Sequence, residues 1–156
     1  AAEEETNPSD RDSEVLDGDV VKEKRILLAE DNDLNAEIAM EVLKDAGIQV
    51  ERACDGEQCI SMMEEADSSY YDAILMDIQM PHKNGYQATN AIRRMPDKTK
   101  SNIPIIAMTA NAFQEDKKKA FNAGMDSFIP KPIDISHLIK VLAQTLQERQ
   151  SFTGKR

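Results

Sequence analysis

Cysteine is scarce: Cys54 and Cys59 are the only two in 156 residues, and they do not form a CxxC pair. That excludes a cysteine-rich metal site or a disulfide scaffold and points to a reducing, intracellular setting. Histidine is as rare, with only His82 and His137, so the chain lacks a His–Cys ligand pattern for zinc. Neither histidine has an acid–nucleophile neighbour in sequence, and both read as surface or packing residues. No apolar run approaches the roughly 18 residues that a membrane span needs. The start, Ala1-Ala2-Glu3-Glu4, has neither the basic region nor the apolar run of a signal peptide. Without an initiator Met, the chain reads as a piece of something longer or as a processed terminus. A Walker phosphate loop and a G-x-S-x-G elbow are both missing, which removes P-loop nucleotide binding and the nucleophile-elbow hydrolases.

Acid is plentiful, and it is unevenly spread. The net charge is −10, and residues 1–22 hold eight acids against Arg11 and Lys22, a net of −6. That segment is poor in large apolar residues and reads as a disordered tail or linker. The acidity disfavours nucleic acid as a direct partner. Hydrophobic residues make up 40%, enough for one core of ordinary size. The organisation expected is an acidic tail over 1–22, one folded domain over 23–148 and a short C-terminal tail over 149–156.

Within the domain, short apolar runs alternate with helical patterns. Arg25-Ile26-Leu27-Leu28-Ala29 ends in Glu30-Asp31; Leu34, Ile38, Ala39, Val42 and Leu43 then recur at helical spacing, and Gly47 closes that helix as a left-handed residue. Ile48-Gln49-Val50 is a second strand, followed by a helix over Gly56–Asp67 with Cys59, Ile60 and Met63 inward. Ala73-Ile74-Leu75-Met76 stops at Asp77, and Asn84 caps a third helix carrying Ala88, Ala91, Ile92 and Met95. Pro96 to Asn102 is polar and reads as a loop. Pro104–Met108 ends in Thr109, a helix spans Phe113–Asn122 up to Gly124, and Ser127-Phe128-Ile129 is a short fifth strand. After Lys131-Pro132 a last helix places Ile135, Leu138, Ile139, Leu142 and Leu146 on one side. Five strands alternating with five helices predict an α/β fold with a parallel five-stranded sheet and helices on both faces.

In such a sheet ligands bind beyond the carboxyl ends of the strands. Four runs end in polar residues there: Glu30-Asp31, Asp77, Thr109 and Lys131. Each alone is uninformative, since an Asp after a strand is most often a cap or a turn, but the set falls at one end of the sheet. Clustered carboxylates repel, and a hard divalent ion such as Mg2+, which prefers oxygen ligands, relieves that. Magnesium also bridges phosphate oxygens. Asp77 then suits a nucleophile, with Glu30 and Asp31 on the metal side, Lys131 as a mobile positive charge and Thr109 as a hydrogen-bond donor.

These residues resemble the receiver domain of two-component phosphorelay systems over about residues 24–147. The acidic doublet is Glu30-Asp31, the acceptor motif Leu75-Met76-Asp77-Ile78-Gln79-Met80-Pro81, the turn Asn84-Gly85, the hydroxyl Thr109-Ala110 and the lysine Lys131-Pro132. The resemblance implies a (βα)5 flavodoxin-like fold and transfer of a phosphoryl group from phosphohistidine to Asp77. It implies Asp31, Asp77 and the Gln79 carbonyl as metal ligands, Glu30 reaching the metal through water, and Phe128 moving with Thr109 as a switch. Burial alone also accounts for Phe128. Glu30-Asp31-Asn32 with Asn35, Met80-Pro81 and Met108-Thr109-Ala110-Asn111-Ala112 look most like receivers fused behind histidine kinases. The implied partner is a histidine kinase core or a histidine phosphotransfer protein, on the cytoplasmic side, with membrane contact only through a parent kinase. A stand-alone response regulator and a magnesium-dependent phosphohydrolase are the alternatives. The hydrolase needs a substrate lid and a second acid as proton donor, and neither is evident. A degenerate interaction module is a third reading, against which Asp77, Thr109 and Lys131 argue. A receiver is an enzyme only in catalysing its own phosphorylation and dephosphorylation.

Overall fold

The computed structural model describes residues 20–80, 82–110, 114–131 and 133–154. Its strands are β1 (Arg25–Ala29), β2 (Gln49–Ala53), β3 (Ala73–Asp77), β4 (Ile105–Thr109) and β5 (Ser127–Pro130). They form one parallel sheet in the order β2-β1-β3-β4-β5. The helices are α1 (Asp33–Asp45), α2 (Gly56–Glu65), α3 (Gly85–Arg93), α4 (Gln114–Ala123) and α5 (Ile135–Gly154). The doubly covered α/β architecture expected from the alternation is therefore the one observed.

The central strands are apolar at nearly every position because both their faces are covered. Leu27, Ala29, Ile74, Met76, Ile105 and Ala107 point to the α2–α3–α4 side, where Cys59, Met63, Ala88 and Ile92 meet them. Ile26, Leu28, Leu75, Ile106 and Met108 point to the opposite side, against Ala39 and Leu43 of α1 and Leu138 and Leu142 of α5. Each fully buried Leu or Ile contributes roughly 1.5–3 kcal/mol. Gly47, at φ +86, ends α1 as expected, with its N–H donating to Lys44 O.

Several elements depart from the sequence reading. Ala36, Ala39 and Leu43 are the buried residues of α1, whereas Leu34 and Ile38 are 63% and 55% exposed. The helix packs through its small alanines, which turns part of the apolar stripe outward. Strand β2 runs on through Glu51 and Arg52, whose polarity hid it; Glu51 accepts hydrogen bonds from the Tyr70 and Tyr71 hydroxyls. The stretch Pro96–Asn102 is not all loop: Lys98–Ser101 is one helical turn, capped by Asp97 accepting from the Thr99 N–H. Packing also starts before residue 23, since Val21 is fully buried. Helix α5 extends to Gly154, into the span read as a C-terminal tail. Pro81, Asn111, Ala112, Phe113 and Pro132 lie outside the described residues.

Candidate phosphoacceptor site

Because all five strands run the same way, their carboxyl ends share one edge of the sheet. The register sets Met76 opposite Ala29 and Asp77 opposite Met108. Glu30, one residue past β1, thus lies beside Asp77 at the end of β3. Thr109 ends β4 opposite Pro130, and its carbonyl accepts the Lys131 N–H at 2.8 Å. The cleft so formed has a volume of about 210 Å³ and is lined among others by Glu30, Asp31, Asp77, Gln79, Thr109 and Lys131.

The charges are brought together as the strand-end pattern predicted. Carboxylate oxygens of Glu30, Asp31 and Asp77 lie within 4.8 Å of one another. Lys131 Nζ donates to Glu30 Oε1 at 3.0 Å and to Asp77 Oδ2 at 3.1 Å. Glu30 and Asp77 are buried and Asp31 is exposed. Burial first, then the Glu30 charge, push the Asp77 carboxyl up to about 6, and Lys131 only partly offsets them. Burial pulls the Lys131 ammonium down, but its bonds to Glu30 and Asp77 outweigh that and hold it above the ordinary value of 10.5. One ammonium does not neutralise three acids, so the site has the donor set and the unbalanced negative charge that suit a hard divalent cation.

The surrounding loops hold these groups in place. The Gln79 N–H donates to Asp77 Oδ1 at 3.3 Å, and the Gly85 N–H donates to Ile78 O at 2.8 Å. A Cβ on Gly85 would lie 2.5 Å from Asp77 O, so a glycine is needed where α3 begins. Asn84 and Gln87 cap that helix reciprocally. Phe128 is half-buried and packs on the same face of the sheet as Ala107, the residue opposite it in β4. Thr109 shares that face by the two-residue period of the strand.

Sequence reasoning missed two participants, Arg52 and His82, and one contact of Glu30. Arg52 braces the acidic loop from β2, donating from Nε to Glu30 O and from a terminal nitrogen to Asp31 O, while pairing with Asp33 at 2.9 Å. Glu30 is more engaged than expected, since its second oxygen accepts the Asn32 N–H. His82, read as an ordinary surface residue, meets Asp55 across two loops at 2.8 Å. None of these pairings is local in sequence apart from Glu30–Asn32, and only the fold reveals them.

Comparison with known proteins agrees with this geometry. Residues 26–143 match the family described as the response regulator receiver domain. Hybrid signal transduction histidine kinase L of Dictyostelium discoideum is 38% identical over 120 residues, covering 74% of this chain and 7% of that protein. Histidine protein kinase 1 of Candida albicans is 40% identical over 127 residues, covering 77% of this chain and 5% of that protein. The chain thus spans less than a tenth of either relative. The receiver domain of a sensor histidine kinase from Pseudomonas aeruginosa, crystallised with magnesium coordinated in its active-site cleft, is 36% identical with a TM-score of 0.72, covering 80% of this chain and 98% of that one.

Proposed function

Because the chain belongs to the response regulator receiver family, we propose that Asp77 is its phosphoacceptor and that the domain is the receiver portion of a hybrid sensor histidine kinase. The observation that carries the assignment is a buried carboxylate at the sheet's carboxyl edge, 3.1 Å from an ammonium and grouped with two further acids.

An oxygen of Asp77 attacks the phosphorus of a phosphohistidine. The P–N bond breaks, its electron pair leaves with the imidazole, and the imidazole takes a proton from solvent. The product is an acyl phosphate on Asp77. Lys131 pairs with one phosphoryl oxygen and the Thr109 hydroxyl donates to another, where charge is greatest. Asp31, Asp77 and the Gln79 carbonyl would hold Mg2+, with Glu30 acting through water because Lys131 and Asn32 already engage its oxygens. When bound, the ion neutralises and orients phosphoryl oxygens. Water attack on the same phosphorus breaks the P–O bond to Asp77, releases inorganic phosphate and returns the free carboxylate, so the domain catalyses its own phosphorylation and dephosphorylation.

Thr109 turns toward the phosphoryl group and Phe128 follows into the space it leaves, a shift between two packings on one face of the sheet. The donor is a histidine kinase core or a histidine phosphotransfer protein, because the curated relatives are hybrid histidine kinases. A parent kinase would draw on ATP, which supports the cytoplasmic side as the place of the domain.

Phosphoramidate, a small P–N donor, tests the assignment. With Mg2+ it should add one phosphoryl mass to the wild type and none to Asp77→Asn. Equal labelling of the variant would overturn the proposal.

A further inference from the structure

Two loops meet outside the cleft. Asp55, between β2 and α2, uses its two oxygens for separate tasks: Oδ1 caps α2 by accepting the Gln58 N–H at 2.8 Å, and Oδ2 lies 2.8 Å from His82 Nδ1. Beside this pair, Gly56 packs so tightly on Lys83 that an added Cβ would sit 2.1 Å from the Lys83 carbonyl oxygen. His82 holds φ +68, a left-handed conformation that is uncommon outside glycine, although histidine, asparagine and aspartate adopt it more readily than other residues. The gripped stretch lies three residues past Gln79, in the connection from β3 to α3.

We infer that His82 is a positioning residue for the phosphoacceptor cleft: held by Asp55, it fixes the loop carrying Gln79, and its grip tightens when the imidazole is protonated. The Asp55 hydrogen bond first, then the Asp55 charge, hold the imidazole above its ordinary value of 6.5, with Glu57 in the first turn of α2 adding to the attraction. The Gln58 amide first and His82 second hold Asp55 below the usual carboxylate range. Lys83, next in the chain, is the neighbouring cation. A histidine whose value rises on folding grips fully below pH 6.5 and lets go as the pH climbs through the raised value. His82 is 65% exposed, so the clamp is a modest, salt-screened contact.

The test follows Mg2+ affinity by calorimetry across pH in the full chain, together with the NMR titrations of the His82 ring and the Gln79 amide in metal-free protein. The metal reading of the site enters only through the affinity arm. The wild type should bind Mg2+ about two- to fivefold more tightly than His82→Gln near pH 6.5, a gap that narrows as the pH climbs through the raised His82 value. His82→Asn, which tolerates the left-handed backbone, should lose affinity as His82→Gln does, separating the lost contact from backbone strain. Asp55→Asn keeps the Oδ1 cap but turns an amide donor toward His82. Neutral imidazole can accept from it and imidazolium cannot, so the sign of the pH dependence should reverse. The Gln79 amide should titrate with the midpoint of the His82 ring and lose that component in His82→Gln. A gap constant in pH, an Asp55→Asn slope like that of the wild type, or a Gln79 amide indifferent to the ring would overturn the inference. If the wild type bound no Mg2+ at any pH, the metal reading would fail instead, and the amide titration would still decide the clamp.

Discussion

Replacing the proposed phosphoacceptor should make the metal-free protein more stable. In the fold, burial and the neighbouring Glu30 charge raise the Asp77 carboxyl from its ordinary 3.8 to about 6 even with Lys131 in contact. An acid whose value rises on folding takes up protons, so its ionised form opposes the fold at neutral pH. At 1.36 kcal/mol per tenfold, the cost above pH 6 is roughly 3 kcal/mol. Asp77→Asn substitutes a neutral group of nearly the same shape, and Lys131 retains Glu30 as a partner at 3.0 Å. Urea unfolding without Mg2+ at pH 7.5 should therefore find the variant more stable by up to roughly 3 kcal/mol. The sign fixes the pH course. The wild type recovers stability as the pH falls through 6 toward 3.8, so the advantage should drop to about half at pH 5 and vanish below the ordinary carboxyl value. A destabilised Asp77→Asn, or an advantage unchanged between pH 7.5 and pH 5, would refute the claim that this carboxylate is held under electrostatic stress.

Other perturbations probe the parts around it. Asp31→Asn should weaken Mg2+ binding more than Glu30→Gln does in calorimetry, because Glu30 is already bound to Lys131 and Asn32; the reverse order would swap the roles of the doublet. Gly85→Ala should lower stability by about 1–3 kcal/mol in chemical unfolding, since the new methyl meets Asp77 O at 2.5 Å and Ile78 Cα at 2.9 Å. Lys131→Ala should leave circular dichroism close to that of the wild type while slowing phosphoryl labelling; unchanged labelling kinetics would remove Lys131 from the chemistry. With beryllium fluoride as a phosphoryl mimic, Thr109→Ala should shrink the shift of the Phe128 amide resonance. A full-sized shift would route the signal elsewhere.

The parallel sheet was legible because its central strands are covered on both faces and so appear as unbroken apolar runs such as Ala73–Met76. The same feature made the site legible, since four of the five runs give way to a polar residue at the same end of the sheet. Edge and surface elements were harder to read. Strand β2 carries Glu51 and Arg52, whose polar partners lie 19 to 22 residues away in sequence, so no local pattern announces them. The turn at Lys98–Ser101 has no apolar stripe and depends on a cap from Asp97. On α1, periodicity identified the helix but not which of its apolar residues face the sheet, because packing through Ala36 and Ala39 rotates Leu34 and Ile38 outward. Arg52 and His82 act through contacts between loops and strands that sequence spacing does not encode.

The central claim concerns one bond on one residue. An acyl phosphate is reduced by borohydride, which converts the phosphorylated aspartate to homoserine and marks its position permanently. After phosphotransfer from a phosphorylated histidine phosphotransfer protein in the presence of Mg2+, reduction and peptide mapping should find homoserine at position 77 and unmodified acids at Glu30 and Asp31. Homoserine at Asp31, the one-carbon-longer alcohol that a reduced glutamyl phosphate gives at Glu30, or transfer without a reducible product, would contradict Asp77 as the phosphoacceptor.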